Sequence, residues 1–139
     1  MSPPPAGFVP ITRSSPFLEL VGPLFERRDG DALSLGLRIE AKHANKRGIC
    51  HGGVLATLAD VALGYAMAVK TGAKGFVTAQ LALDYAGAAK IGDWVESAVE
   101  VQRAGSRLAF ANCYLKVGEQ RIVRASAIFA VTGATRENK

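Results

Sequence analysis

The sequence predicts an α+β domain in which one long apolar helix packs against an antiparallel sheet. Three observations support this fold class. A segment over about 52–69 has helical spacing of its apolar residues and contains Asp60 as its only charge. Strand-like segments flank it on both sides, and Gly-containing turns separate the later ones. The helix is apolar around much of its circumference, so burial by the sheet and by a second subunit is predicted.

Before the long helix, we expect a short helix and a hairpin. Ser15 followed by Pro16 is a typical helix start. Asp29-Gly30 is a hairpin turn between strands at about 24–28 and 32–40. In the second of these strands apolar residues occupy alternate positions, as in a half-buried strand: Leu33, Leu35, Leu37 and Ile39. The polar residues 41–50 then predict a loop.

Four strands are expected after the helix, at about 76–86, 93–103, 107–117 and 121–131. Alternation predicts one shared face on the first strand and one on the last. These faces comprise Val77, Ala79, Leu81, Leu83 and Tyr85 on the first, and Val123, Ala125, Ala127, Phe129 and Val131 on the last.

One domain with short ends is expected from the 139 residues. A flexible Pro-rich leader is predicted over 1–12, a single domain over 13–133 and a polar tail over 134–139. Polar residues interrupt the longest apolar run, so neither a membrane-spanning segment nor a membrane partner is predicted. The N-terminus lacks the basic and apolar regions of a secretory signal.

Charge and cysteine content narrow the classes of partner. The net charge of +5 is compatible with RNA, an anionic surface or a phosphorylated small molecule. The basic residues are scattered without interleaved aromatics, which argues against nucleic acid and favours an anionic ligand. Cys50 and Cys113 lack a partner motif, as is typical of reduced thiols in a cytoplasmic protein. No cluster has metal-ligand spacing, so no metal is expected.

The lone acid of the long helix is the main candidate for chemistry. A carboxylate buried there is costly unless it is paired or neutralised. Asp60 could act as a nucleophile or as a general base, and a partly dry setting would favour that role. A structural carboxylate paired with an arginine explains the position equally well, and the residues alone leave both interpretations open.

The helix start, His51-Gly52-Gly53, is a second candidate. Backbone N–H groups at a helix start lack partners and carry the positive end of the helix dipole. A glycine at that point lets a ligand oxygen approach closely, as in an oxyanion hole. Gly-Gly is also an ordinary tight turn into a helix, and the two interpretations coexist. His51 is expected to position the loop rather than to transfer protons.

The segment from Asn45 to Asp60 resembles the signature of hotdog-fold acyl-CoA thioesterases of the phenylacetate-pathway (PaaI-like) type. That signature has Asn, His-Gly-Gly six residues later, and Asp nine residues after the His. The strand around Thr78 and the segments 83–85 and 88–93 are also similar. The resemblance implies a hotdog fold, with a long helix wrapped by a five- to six-stranded antiparallel sheet. It further implies a homodimer, often paired into a homotetramer, with active sites at the subunit interface.

The resemblance also implies individual roles in hydrolysing an acyl-CoA to a carboxylic acid and free CoA. The coenzyme is part of the substrate, so no separate cofactor is expected. Asp60 from the facing subunit would attack the thioester carbonyl or activate water held by Thr78. The N–H of Gly52, with the Asn45 amide, would polarise that carbonyl. As ordinary structural residues, Asn45 would be a turn residue and Thr78 a β-branched strand residue. From the residues themselves, contacts with the acyl group are expected at Gly53, Leu63, Gly64, Met67 and Phe76. The candidates for binding CoA phosphates are Lys90, Arg103, Arg107 and Arg124. As ordinary structural residues, these four would be solvated charges at strand ends.

Two other functions are alternatives. A hotdog enoyl-CoA hydratase uses an Asp/His pair on a differently spaced motif that this sequence lacks. A non-catalytic acyl-CoA-binding hotdog module would retain acyl-CoA without hydrolysis. A nucleophilic Cys50 is disfavoured, because adjacent side chains on an extended segment point apart and His51 could not easily activate it. The sequence does not specify the acyl group.

Overall fold

The computed structural model describes residues 2–72 and 75–132 and has the hotdog arrangement of one long helix against an antiparallel sheet. The sheet has seven strands in the order β1-β2-β3-β5-β6-β7-β4. The helices are α1 (Pro16–Val21), a short 3-10 helix (Ala41–His43) and α2 (Gly52–Thr71). The strands are β1 (Val9–Pro10), β2 (Leu24–Asp29), β3 (Ala32–Arg38), β4 (Phe76–Tyr85), β5 (Trp94–Ala104), β6 (Leu108–Val117) and β7 (Gln120–Val131).

The long helix α2 matches the predicted helix to within two residues at its end. It stops at Gly72, whose φ of 72° is a left-handed conformation and whose N–H donates to the carbonyl of Ala68. The sheet-facing side is buried, including Leu55, Leu58, Ala59, Ala62 and Ala66. Contrary to the expectation above, α2 is long and apolar enough to cross a membrane by length and composition. Half of that apolar stretch is buried inside the domain, as in a core helix.

The predicted hairpin and the β3 alternation are confirmed. The turn contains Gly30 with a φ of +66°, a conformation that glycine adopts without steric cost. Leu35, Leu37 and Ile39 have no exposed surface, and the alternating face predicted for β7 is likewise buried from Val123 to Phe129. Helix α1 begins as predicted, with the Ser15 hydroxyl accepting a hydrogen bond from the Leu18 N–H.

An irregularity in β4 changes the predicted face of that strand. A β-bulge between Thr78 and Gln80 shifts the alternation, so Thr78 points to α2 while Val77 is 56% exposed. After the bulge, Leu81 and Leu83 pack against the core. Thus two short runs in different phase replace the single alternating face that the sequence predicts.

The N-terminal segment, expected to be a flexible leader, is attached to the domain from Phe8 onwards. Val9 and Pro10 pair with β2 and form the seventh strand, one more than the six predicted. Phe8 is only 7% exposed and packs edge-on against Trp94, with ring centroids 5.0 Å apart. A two-residue strand has no periodicity to reveal it, so composition alone suggested a leader. The polar tail predicted over 134–139 lies outside the described residues.

Candidate active site

Asp60 and Thr78, predicted to act together, meet between the helix and the sheet. The Thr78 hydroxyl donates a hydrogen bond of 2.9 Å to Oδ1 of Asp60. Asp60 lies on the partly exposed side of α2, and the β4 bulge turns Thr78 towards it. Within the described part of the chain, the second carboxylate oxygen, Oδ2, has no protein partner. One oxygen is therefore held in place while the other remains available to a ligand or water.

Two grooves open on either side of Asp60. The first, of about 280 Å³, is lined by Arg13, Val61, Gly64, Tyr65, Ala68, Phe76, Thr78 and Phe129. The second, of about 390 Å³, is lined by Ser15, Phe17, Leu18, Ala56, Thr57, Val61 and Leu81. We call the first the Arg13 groove and the second the Phe17 groove. The lining of the Phe17 groove is mostly apolar, whereas the Arg13 groove presents polar and apolar surface in equal measure. Both place apolar side chains beside a carboxylate, an arrangement that suits an apolar group with a reacting polar centre.

Two of the predicted acyl contacts are wrong in this chain. Leu63 and Met67 have no exposed surface and belong to the core cluster. Their positions on α2 point into the domain, so neither lines a groove beside Asp60. Gly64 and Phe76, also predicted, do line the Arg13 groove.

The start of α2 has the backbone geometry expected of an oxyanion site. Val54 and Leu55 donate their N–H groups to the carbonyl of His51. No such bond is made by the N–H groups of Gly52 or Gly53 to any described residue, so both can donate to a ligand. The Tyr85 hydroxyl donates to the Gly52 carbonyl at 2.7 Å and fixes this turn.

The predicted partners of this turn have different surroundings. His51 is exposed, and its side chain makes no cap hydrogen bond. The side-chain oxygen of Asn45 accepts the N–H groups of Arg47 at 2.9 Å and Ile49 at 3.2 Å. That oxygen holds the loop before α2, so the geometry of Asn45 is that of a turn residue.

His43 is a structural residue for which no partner was predicted from the sequence. It is 2% exposed, and its Nδ1 accepts the Glu40 N–H at 2.8 Å. Its Nε2 therefore carries the proton and donates to the Val21 carbonyl. These bonds join the loop before α2 to the end of α1, and no sequence signal identifies them.

The basic residues predicted for CoA phosphates do not gather beside Asp60. Lys90 lies next to the loop before α2, where Ile49 forms a bridge to it. Arg103 lines a separate groove, and the Arg107 carbonyl pairs with the end of β7. Arg124 is held by Asp84 at 2.7 Å, a contact that raises the pKa of the guanidinium.

The cysteines are unsuited to nucleophilic catalysis. Burial raises the pKa of Cys50 to about 11 and that of Cys113 to about 12. Their thiols are thus protonated at neutral pH, and a thiol is a poor nucleophile. Across residues 2–72 and 75–132, no group of three His, Cys, Asp or Glu side chains is arranged to hold a metal ion.

A polar cluster at the end of the Arg13 groove was not predicted. Glu26, only 4% exposed, accepts hydrogen bonds from the Thr12 N–H at 2.8 Å and the Tyr65 hydroxyl at 2.9 Å. Burial raises the pKa of Tyr65, so its hydroxyl stays protonated as a donor. The Arg13 guanidinium lies 5.0 Å from the centre of the Tyr65 ring. The residues of this cluster are far apart in the sequence, so no local sequence pattern predicts their contact.

Comparison with known proteins identifies the family of this chain. Residues 47–123, more than half of the chain, match the sequence pattern of the thioesterase superfamily. The chain belongs to this superfamily. A Pseudomonas aeruginosa protein with the provisional name of an esterase, PA0474, is 48% identical over 127 residues, which cover 90% of this chain and 95% of that protein.

Two further proteins are similar to this chain. Mouse acyl-coenzyme A thioesterase 13 is 35% identical over 77 residues, which cover 55% of this chain and 54% of the mouse protein. The structure of E. coli PaaI, from the phenylacetic acid degradation operon, has a TM-score of 0.77 at 17% identity and covers 86% of each chain. The predicted family and hotdog fold are therefore confirmed, and thioester hydrolysis is the chemistry of this superfamily.

Proposed function

We propose that this thioesterase hydrolyses acyl-CoA and that its active site combines residues of two copies of the chain. The observation that carries the proposal is the hydrogen-bonded Asp60–Thr78 pair in a groove, with a free carboxylate oxygen. The N–H of Gly52, which has no hydrogen-bond partner among the described residues, supplies the second requirement, a donor for the carbonyl oxygen. The name of the mouse relative, an acyl-coenzyme A thioesterase, supports the choice of substrate class.

The two halves of this machinery are too far apart within one chain. Gly52 and Asp60 lie on the same helix, eight residues apart, which corresponds to about 12 Å along its axis. A reacting carbonyl must lie within about 3 Å of both its oxyanion donor and the attacking group. One chain therefore cannot present both groups to the same carbonyl, and a second copy has to supply one of them.

The geometry of β4 favours a particular way of bringing two copies together. This ten-residue strand ends the sheet, so along one side its backbone groups are unpaired. Near one end of the strand Thr78 contacts Asp60, and at the other end Tyr85 contacts Gly52. Antiparallel pairing of two β4 strands about a two-fold axis would set the Thr78 end of one copy beside the Tyr85 end of the other. Asp60 of one copy would then approach Gly52 of its partner.

In the proposed reaction, the N–H of Gly52 binds the thioester carbonyl oxygen and stabilises the negative charge that develops on it. Asp60 removes a proton from a water molecule that attacks the carbonyl carbon, or it attacks that carbon itself to give a mixed anhydride that water then hydrolyses. In either route Thr78 fixes the orientation of the carboxylate. The carbon–sulfur bond then breaks and the CoA thiolate leaves, taking up a proton. Water supplies the hydroxyl group of the carboxylic acid product.

Release of free thiol from a panel of acyl-CoAs tests this proposal. The panel contains phenylacetyl, hydroxybenzoyl, short-chain, medium-chain and long-chain thioesters. Wild type is expected to release CoA from at least one of them. Asp60→Asn should lose this activity while staying folded. Asp29→Asn, which removes an exposed carboxylate at the end of β2, far from β4 in the strand order, should retain it. Retention of acyl-CoA without any thiol release by wild type would contradict hydrolysis and support a binding module.

A further inference from the structure

The N-terminal segment carries a fixed positive charge into the catalytic groove. Thr12 is anchored by its N–H and hydroxyl, which lie 2.8 and 3.1 Å from Oε1 of the buried Glu26. Two residues later, the Ser14 hydroxyl donates to Glu19 at 2.7 Å, and Ser15 caps α1. Arg13 lies between these anchors, so its backbone has little freedom to move away from the groove.

The side chain of Arg13 is held in position, but no described carboxylate neutralises its charge. Its guanidinium lies 5.0 Å from the centre of the Tyr65 ring, a contact in which the N–H edges stay free. Tyr65 is in turn held by its hydrogen bond to Glu26. Among the residues that the structure describes, no carboxylate lies within ion-pair distance of Arg13. A guanidinium in this state can donate two parallel hydrogen bonds to a ligand carboxylate.

The groove between Asp60 and Arg13 has the shape and chemistry for a short acyl group. Gly64, Ala68, Phe76 and Phe129 form its apolar walls, and its volume of about 280 Å³ is at the small end for ligand sites. Tyr65, which supports Arg13, follows Asp60 by five residues, or about 7.5 Å along the helix. A long alkyl chain would exceed this distance, and a chain of five or six carbons fits it.

We propose that Arg13 is a specificity-determining residue that binds a carboxylate at the far end of the acyl group. The inference rests on the proposed function and names its substrate class: CoA monothioesters of short dicarboxylic acids. The thioester carbonyl lies at Asp60, the methylene chain contacts the apolar walls, and the free carboxylate pairs with Arg13. Arg13 is exposed, and it is the only basic residue that lines this groove in the described part of the chain. One cation matches one carboxylate better than it matches CoA phosphates, which carry several charges.

Matched pairs of substrates separate an acyl carboxylate from a CoA phosphate. Adipyl-CoA and hexanoyl-CoA have the same chain length and the same coenzyme, as do glutaryl-CoA and pentanoyl-CoA. Wild type is expected to prefer the carboxylate-ended member of each pair in kcat/KM by about tenfold or more. Arg13→Gln should reduce that ratio to near one, Arg13→Lys should keep part of it, and Arg28→Gln should keep all of it. Arg28 is a suitable control because it is exposed on β2 and lines neither groove.

The results that overturn the proposal differ from those that overturn hydrolysis. If Arg13→Gln lowers kcat/KM equally for both members of a pair, Arg13 contacts the coenzyme or the fold instead. An unchanged ratio in Arg13→Gln would also refute the proposal. Calorimetric binding of the same pairs to Asp60→Asn provides a readout without turnover. Preferential binding of adipyl-CoA that is lost in Asp60→Asn/Arg13→Gln would support Arg13 even if wild type hydrolyses nothing, and equal or absent binding would refute it.

Discussion

Replacing Gly52 by proline should remove the proposed oxyanion donor with little damage to the fold. Gly52 is the first residue of α2, where proline is well tolerated because its missing N–H is not needed by the helix. The preceding residue, His51, has φ −59° and ψ 139°, which is the conformation that a residue before proline prefers. The main steric cost is at Tyr85, whose ring atoms would lie 3.2 Å from the new Cβ. Tyr85 is 52% exposed and can shift.

The expected loss follows from the single N–H group that the variant lacks. Removing one oxyanion donor typically lowers kcat by about 100- to 1000-fold, or ~3 kcal/mol of transition-state stabilisation. Thiol release measures kcat, and the thermal midpoint reports on folding. Gly52→Ala is the matched control, because it adds the same Cβ next to Tyr85 but keeps the N–H. Near wild-type kcat in Gly52→Pro, or an equal loss in both variants, would refute the assignment of this N–H.

Three further changes test other parts of the account. Thr78→Val should lower kcat about 10- to 100-fold, with KM nearly unchanged, because it removes a hydrogen bond to the Asp60 carboxylate. Thr78→Ser keeps the hydroxyl and should restore activity. Equal kcat values in the two variants would contradict a role for the Thr78 hydroxyl. Gly36→Ala would place a Cβ 2.0 Å from the Trp94 ring and should cost about 1–3 kcal/mol in denaturant unfolding. The buried Cys50 thiol should resist iodoacetamide at pH 8, and rapid alkylation of the folded protein would contradict this. The contribution of Cys50 to the free energy of unfolding should fall from about pH 9 towards pH 11, because the thiol ionises at lower pH in the unfolded chain than in the folded one.

Much of the fold and the central pair of the site could be predicted from the sequence. Strict alternation over Leu33, Leu35 and Leu37 identified a buried strand face, because period-two spacing directly sets which side chains face the core. The apolar helix was predicted almost to its end for the same kind of reason. Asp60 and Thr78, matched to the family signature, are in direct contact.

The remainder depends on tertiary contacts that leave no local pattern. The bulge after Thr78 is an extra residue in a strand whose composition is ordinary, so the reversal of its face could not be predicted. Leu63 and Met67 were expected to contact the acyl group, but an apolar composition does not say which side of a helix the sheet covers, and both are core residues. Arg13 approaches the groove only because a distant glutamate on β2 anchors the residue before it.

Complementation between two inactive variants tests most directly whether the active site combines two copies of the chain. Gly52→Pro and Asp60→Asn are unfolded together in equal amounts, refolded, and assayed for thiol release. In the proposed arrangement each mixed dimer has one intact site, built from Gly52 of one copy and Asp60 of the other. Random pairing makes half of the dimers mixed, so activity should recover to about one quarter of that of wild type treated in the same way. Activity no higher than that of the separate variants, with mixed dimers present, would contradict the shared site.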